Sequence, residues 1–265
     1  MKEYWMDRLR VVLGENRNDL GKIAAVEISN AINETLSQKQ YANIIFAAAP
    51  SQNETLAALC EDHTIAWDAI NAFHMDEYAG LNINDKQSFA RFLSDAIFSR
   101  KPFHSVNLID GKNNIEDECV RYGRLLAENP PDIVVMGIGE NGHIAFNDPG
   151  VADFHDCRII KKVELDDVCR IQQVHDGCFS SIDAVPRYAL TLTVPTLAKA
   201  KYQFCQVPSK TKAVAVKNTL FGSVCEECPA TILRTLNSAV MFLEPESAKL
   251  VESCFKSNGK MSRGN

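Results

Sequence analysis

A histidine and three carboxylates follow apolar runs of the chain and could carry proton-transfer chemistry. His143 lies in a glycine-rich segment after the apolar run at 133–136, and Asp148 follows on the same short segment. Asp76 and Glu77 come directly after another apolar run. A histidine titrates near neutral pH, and carboxylates in a partly closed pocket can act as bases. Together these groups could move protons between adjacent carbons or oxygens of a small polar substrate.

The same residues also fit ordinary turn chemistry. Asp148 precedes Pro149, which is a common combination in turns, and His143 could simply satisfy backbone groups. A metal site at His143 and Asp148 is disfavoured, because no further histidine or cysteine lies at ligand spacing. The residues alone therefore leave catalysis and turn formation open, and they predict no bound metal.

The glycines before His143 fit the G-x-G-x-x-G pattern of dinucleotide-binding loops at Gly137, Gly139 and Gly142. That fingerprint requires a long helix after the third glycine, because the helix N-terminus receives the pyrophosphate. Here the turn-forming residues at 147–150 interrupt the chain within a few positions. We therefore expect these glycines to let backbone N–H groups approach an anion or a sugar closely.

Two further segments could bind a phosphate group. Lys210 and Lys212 follow an apolar run and open a helical pattern, and the segment from Ser51 to Asn53 precedes another helical pattern. Lysines beside the N–H groups of a helix N-terminus suit a phosphate. The alternative for both lysines is an ordinary solvated helix face, and the residues do not decide between the two.

Apolar runs alternate with helical patterns along most of the chain. We expect strands at 42–49, 69–75, 105–110, 132–137, 187–194, 202–207 and 238–244, and helices at 18–38, 53–62, 86–99, 115–128 and 209–220. This alternation predicts an α/β fold with a mostly parallel sheet and helices on both faces. In such sheets the ligand lies at the carboxyl ends of the strands. No repeat or long linker is visible, so we expect one domain over residues 1–265.

The N-terminal segment at 1–16 is expected to form an amphipathic helix. On such a helix Tyr4, Trp5, Leu9, Val12 and Leu13 would lie near one face. No signal-peptide pattern or membrane-length apolar run is visible, so a cytoplasmic protein is the default expectation. The formal net charge of -6 argues against nucleic acid or an anionic membrane as the main partner.

The nine cysteines are scattered, and most lie inside apolar or helical patterns. We interpret them as reduced, partly buried thiols. Cys225 and Cys228 form one C-x-x-C pair, for which a redox role or a facultative disulfide stays open. A structural zinc site normally needs a second such pair, and the sequence has none.

Three segments resemble the glucosamine-6-phosphate deaminase/isomerase family, whose superfamily also includes 6-phosphogluconolactonase. They read FHMDEYAGL at 73–81, GIGENGHIAFNDPG at 137–150 and VPRYALTLTVPTL at 185–197. The resemblance implies a three-layer, Rossmann-like α/β fold and a reaction without a cofactor. The implied reaction opens an amino-sugar 6-phosphate, isomerises it from aldose to ketose and releases ammonia to give fructose 6-phosphate. A homo-oligomer is compatible with the resemblance.

Residue roles follow from the resemblance position by position. Asp76 would move a proton between C2 and C1, His143 would assist ring opening, and Asp148 would support or orient the histidine. Asn141 is placed with these catalytic residues, although its amide cannot act as a base, which weakens or alters the acid–histidine arrangement. Lys212 would hold the phosphate. Further expected substrate-binding residues are Ser51, Gln52, Glu77, Gly139, Gly142 and His175.

The chain also departs from the family pattern at several of these positions. Asn141 stands where a well-known member has aspartate, and Asp148 stands where the family usually has glutamate. The usual Thr-Gly-rich phosphate loop is replaced by APSQNE at 49–54, and an arginine expected near 172–178 is missing. The resemblance therefore favours glucosamine 6-phosphate as substrate. It leaves galactosamine 6-phosphate and a non-catalytic sugar-phosphate-binding protein as alternatives.

Overall fold

The structure of the protein is a computed structural model that describes residues 2–165, 167–175 and 177–257. The helices are α1 (Arg17–Gln38), α2 (Asn53–Glu61), α3 (Phe89–Leu93), α4 (Ile115–Glu128), α5 (Asp167–His175), α6 (Val194–Ala198), α7 (Ala213–Phe221), α8 (Pro245–Ala248) and α9 (Glu252–Ser257). None of the helices within these described ranges is long and apolar enough to cross a membrane.

The strands form one large sheet and one small sheet. Their bounds are β1 (Lys2–Met6), β2 (Leu9–Leu13), β3 (Ala42–Phe46), β4 (Ile70–His74), β5 (Asp76–Tyr78), β6 (Ser105–Asn107), β7 (Ile133–Met136), β8 (Ile160–Glu164), β9 (Tyr188–Leu192), β10 (Tyr202–Val207) and β11 (Ala239–Leu243). The eight-stranded sheet has the order β1-β2-β11-β10-β7-β3-β4-β6, and the three-stranded sheet has the order β5-β9-β8. Only the β1–β2 pair is antiparallel in the large sheet.

Helices cover both faces of the large sheet. Ile44 and Phe46 of β3 pack with α1 and α2 on one face, whereas Ile45 packs with α4 and α7 on the other. The same alternation holds in β7, where Val134 and Val135 belong to opposite cores. Strands buried on both faces read as continuous apolar runs, which is why the sequence revealed them. The three-layer α/β fold with a mostly parallel sheet is confirmed.

The N-terminal segment was predicted wrongly as a helix. It forms an antiparallel hairpin, in which β1 pairs with β2 and β2 pairs in parallel with β11. Asp7 makes the turn at a φ of 53°, a left-handed conformation that aspartate tolerates better than most residues. Leu9 and Val11 face one core and Val12 faces the other, so the segment satisfies a strand period as well as a helical one.

The strand order reverses between β3 and β7. The chain runs outward from β3 through β4 to β6, and it then returns to β7 and continues to β10 and β11. The loops that follow β3 and β7 therefore leave the sheet in opposite directions and open a crevice between them. Open parallel sheets bind ligands at such a switch point, beyond the carboxyl ends of the strands.

Candidate active site

A cavity lies at this switch point. It is formed by the segments that follow four neighbouring strands of the large sheet: β10, β7, β3 and β4. Its lining includes Arg17, Ser51, Asp76, Phe89, Gly139, His143, Ala145, Phe146, Gln173, Cys178, Ser209, Thr211 and Lys212. Asp76 and His143 thus open into one cavity, as the sequence-based hypothesis requires.

His143 belongs to a chain of hydrogen bonds with Asp148 and Asn141. Nδ1 of His143 lies 2.9 Å from Oδ1 of Asp148, and Nδ2 of Asn141 donates to the same oxygen at 2.8 Å. The Asn141 side-chain oxygen accepts the backbone N–H of His143 at 3.0 Å. Because Asp148 acts as the acceptor for both groups, we assign the proton to Nδ1 of His143. Nε2 is then the ring nitrogen that can take a proton from a substrate.

Asn141 and Asp148 therefore position the histidine, and neither is among the residues that line the cavity. Asn141 cannot act as a base, but an amide donor suits the carboxylate of Asp148 better than a second carboxylate would. Asp148 is 3% exposed and reaches the histidine directly despite its short side chain. The departures from the family pattern are thus accommodated without losing the support of His143.

The backbone of the loop is shaped around the imidazole ring. A Cβ atom at Gly139 would lie 2.2 to 2.4 Å from atoms of the His143 ring, so only glycine fits there. Ala145 adopts a φ of 51°, which is an uncommon conformation for a residue other than glycine. Asn147, which sequence analysis treated as a turn residue, is fully buried and donates to the backbone carbonyls of Ile144 and Leu192. It fastens the loop to the small sheet.

Asp76 is the buried carboxylate of the cavity. It is the first residue of β5 and is 7% exposed. No described residue donates a hydrogen bond to its carboxylate, which leaves its oxygens available to a ligand. Burial, and then the charge of neighbouring Glu77, raises the pKa of Asp76 well above its usual value. A carboxylate with a raised pKa is a stronger base when ionised, as a proton shuttle requires.

Glu77, which we expected to bind substrate, is engaged by the protein instead. Its carboxylate accepts the backbone N–H groups of Tyr78 at 2.9 Å, Phe89 at 3.1 Å and Ala90 at 2.9 Å. It thereby holds the start of α3 against β5, and it is not among the residues lining the cavity. Burial raises the pKa of Glu77 to about 7, although these three N–H groups favour its ionised form.

Gln52 is hydrogen-bonded to Ser51, a residue of the cavity lining. Its Nε2 donates to Oγ of Ser51 at 3.0 Å and to the carbonyl of Met136 at 3.1 Å, and it is fully buried. With its oxygen occupied as an acceptor, the Ser51 hydroxyl can turn its own hydrogen toward the cavity. Gln206 provides a further amide contact to Gln52 at 2.6 Å once its amide is oriented to donate. The structure gives Gln52 a positioning role for Ser51, since Gln52 is not itself among the lining residues.

Cationic and hydroxyl groups form another part of the cavity lining, which we call its anion end and which comprises Arg17, Ser51, Ser209, Thr211 and Lys212. Lys212 ends the 3-10 turn Lys210–Lys212, which leads directly into α7, and Thr211 and Ser209 lie beside it. Arg17, at the start of α1, also lines this end. Arg17 was not predicted to line the site. Nothing in the local sequence pattern shows that the first turn of an N-terminal helix lies beside loops far along the chain.

The remaining predicted residues lie outside the lining. Gly142 adopts a φ of 86°, and a Cβ there would meet Sγ of Cys228 at 2.6 Å, so its glycine is needed for packing. His175 is exposed at the end of α5. Cys225 and Cys228 are both free thiols. Their redox role stays a prediction.

Comparisons with known proteins show the family of the chain. A family model for glucosamine-6-phosphate isomerases/6-phosphogluconolactonase matches residues 15–242. A glucosamine-6-phosphate deaminase of Bacillus cytotoxicus is 36% identical over 182 residues, which is 68% of each chain. Another, from Lactobacillus delbrueckii subsp. bulgaricus, is 30% identical over 248 residues, covering 92% of this chain and 100% of the relative.

Solved structures show the same fold. A monomeric glucosamine-6-phosphate deaminase superposes with a TM-score of 0.82 at 30% identity, over 91% of this chain and 99% of that one. A 6-phosphogluconolactonase from Trypanosoma brucei superposes with a TM-score of 0.76 at 18% identity, over 91% of this chain and 98% of that one, which supports the fold alone. On the extent of the family match and on these identities, the chain belongs to the glucosamine-6-phosphate isomerase/6-phosphogluconolactonase family.

Proposed function

We propose that this protein is an enzyme that converts glucosamine 6-phosphate to fructose 6-phosphate and ammonia. The observation that carries the proposal is the shared cavity of Asp76 and His143, with cationic and hydroxyl groups at its anion end. The relatives named as glucosamine-6-phosphate deaminases at 30% identity or more support the choice of reaction.

The first step opens the sugar ring. His143 accepts the proton of the C1 hydroxyl at Nε2 and returns a proton to the ring oxygen as the C1–O5 bond breaks. Nδ1 of His143 stays hydrogen-bonded to Asp148. The carboxylate of Asp148 thereby stabilises the imidazolium ion of His143 that exists between the two proton transfers. The product of this step is the open-chain amino aldehyde.

The second step moves a proton between neighbouring carbons. The Asp76 carboxylate removes the proton from C2, which gives an enolamine, and the same carboxyl group returns a proton to C1. In the same step the aldehyde oxygen gains a proton and the amino group gives one up, which leaves a C1 hydroxyl and a C2 imine. The imine adds water and loses ammonia, which leaves the C2 ketone of fructose 6-phosphate. The raised pKa of Asp76 makes its carboxylate basic enough to take a proton from carbon.

The phosphate group fixes the sugar in register with these two groups. Lys212 and the hydroxyl of Ser51, which line the same cavity as Asp76, would hold it. Binding energy from a remote, non-reacting group can orient the reacting carbons. A cytoplasmic location stays a prediction that accompanies this function.

A substrate-profile assay tests the proposal. Ammonia and fructose 6-phosphate would be measured separately with glucosamine 6-phosphate, and ammonia with galactosamine 6-phosphate, while hydrolysis would be followed with 6-phosphogluconolactone. We expect glucosamine 6-phosphate to give the highest kcat/KM, with equal amounts of ammonia and fructose 6-phosphate. A higher kcat/KM for the galactose epimer would change the assigned substrate.

Two other outcomes would remove the proposed reaction. Hydrolysis of the lactone without ammonia release would make the protein a lactonase. Tight calorimetric binding of glucosamine 6-phosphate without any product would make it a sugar-phosphate-binding protein.

A further inference from the structure

Arg17 is held at the cavity by two contacts of its guanidinium group. Nε donates to Oε1 of Glu54 at 2.6 Å, and one Nη2 hydrogen donates to the carbonyl of Pro50. Glu54 belongs to the first turn of α2, so the arginine bridges the starts of two helices. The guanidinium group carries five N–H donors, and these contacts to described residues use two of them.

Arg17 lines the same cavity as Ser51 and Lys212, and the carbonyl that it contacts belongs to Pro50, the residue before Ser51. Arg17 is half-buried, and Glu54 fixes the plane of its guanidinium group. Less side-chain freedom is therefore lost when the group binds a ligand. Planar N–H pairs match the oxygen geometry of a phosphate, to which arginine can bind through two parallel hydrogen bonds.

Charge balance points to the same ligand. A phosphate monoester carries a charge of about -1.5 to -2 near neutral pH. Lys212 supplies one positive charge at this end of the cavity, and Arg17 supplies a second, partly offset by Glu54. A dianion is therefore matched more closely by the two cations together than by Lys212 alone.

We propose that Arg17 is a phosphate-binding residue, which contacts the phosphate group of the substrate together with Ser51 and Lys212. This inference rests on the proposed function for the identity of the phosphorylated sugar. A sugar phosphate and free inorganic phosphate share the same anion chemistry. Binding of phosphate by Arg17 can therefore be tested separately from the proposed reaction.

The test combines binding and turnover in three variants. Binding of inorganic phosphate would be followed by phosphorus NMR titration, and kcat and KM would be measured with glucosamine 6-phosphate. Arg17→Gln removes the cation, and Glu54→Gln removes its partner while keeping the cation. Lys22→Gln removes an exposed charge from the same helix, away from the cavity lining.

Arg17→Gln should weaken phosphate binding and raise KM by about 10- to 100-fold, as expected for losing charged hydrogen bonds. Glu54→Gln should keep or strengthen phosphate binding, and Lys22→Gln should match the parent protein. Inorganic phosphate should compete with glucosamine 6-phosphate in the parent protein and lose that effect in Arg17→Gln.

Three results would overturn the assignment. One is that phosphate affinity falls by less than about threefold in Arg17→Gln, whereas the proposal expects about 10- to 100-fold. Another is an equal loss of phosphate affinity in Glu54→Gln. That result would mean that Arg17 only holds the loop at Pro50 in place and does not bind the phosphate. The third is the absence of phosphate binding by the parent protein while the sugar phosphate is turned over. If phosphate binds in an Arg17-dependent way but no amino sugar is converted, the proposed reaction fails and the phosphate site stands.

Discussion

The two ends of the cavity are built by different means. At the reacting end, Asp76 and His143 are 7% and 8% exposed, and the loop around His143 is fixed by hydrogen bonds. At the anion end, Arg17, Ser51 and Lys212 are only partly buried and lie where helices begin. Burial raises the pKa of Asp76 at the reacting end, whereas the other end keeps cations in contact with solvent.

This difference separates the two tasks of the site. A buried carboxylate and a positioned imidazole can exchange protons with carbon and oxygen, because their basicity is set by the protein. Half-exposed cations recognise a charged group without needing altered basicity. Substitutions at the reacting end should therefore lower kcat, and substitutions at the anion end should mainly raise KM.

The largest effect is expected for Asp76→Asn. The amide has nearly the same shape but cannot accept the C2 proton, so kcat should fall by about 10²- to 10⁴-fold with a much smaller change in KM. Steady-state ammonia release measures both quantities, and a thermal melt shows whether the variant is folded. A large rise in KM with unchanged kcat would place Asp76 at the binding end instead.

The second-largest loss of kcat is expected for Gly139→Ala, because the added methyl group would collide with the His143 ring. Displacing a reacting group by about 1 Å can cost about 100-fold in rate, so kcat should fall by about that factor. Gly123→Ala in α4 is the matched control, since its Cβ would meet only an ordinary contact at 3.6 Å from Ile160. Equal activity of both variants would show that the ring position does not limit the reaction.

A smaller effect is expected from Glu77→Gln, read from the pH dependence of kcat/KM. Asp76 must be ionised to act, so kcat/KM rises with pH through its raised pKa. Removing the adjacent charge lowers the pKa of Asp76, which should move this acidic limb to lower pH. Asp95→Asn, an exposed carboxylate change after α3, is the control that should leave the limb in place. An unmoved limb in Glu77→Gln would exclude an electrostatic influence of Glu77 on the reacting group.

The reacting end was predictable from sequence and the anion end only in part. His143 and Asp76 each follow a strand that is buried on both faces, and such strands are visible as continuous apolar runs. Their meeting then follows from the geometry of a parallel sheet. Lys212 and Ser51 were found for the same reason, as residues of loops at strand ends.

Arg17 could not be found in that way. It follows β2, whose segment was predicted to be helical because a five-residue strand after a tight turn resembles an amphipathic helix over so few positions. Glu77 was assigned to the ligand because sequence cannot show which side of β5 its side chain occupies relative to α3. Both misses arise from tertiary packing, which local patterns do not encode.

The most direct measurement follows the proton that Asp76 is proposed to carry. Glucosamine 6-phosphate would be converted in D₂O by the parent protein and by Asp76→Asn, with the hydrogens on C1 of fructose 6-phosphate read by NMR. We expect the parent protein to form fructose 6-phosphate. Its new C1 hydrogen comes from C2 of the substrate or, after exchange on Asp76, from the solvent. We expect Asp76→Asn to form essentially no fructose 6-phosphate. Product formed by Asp76→Asn at the parental rate with the same labelling would contradict the account.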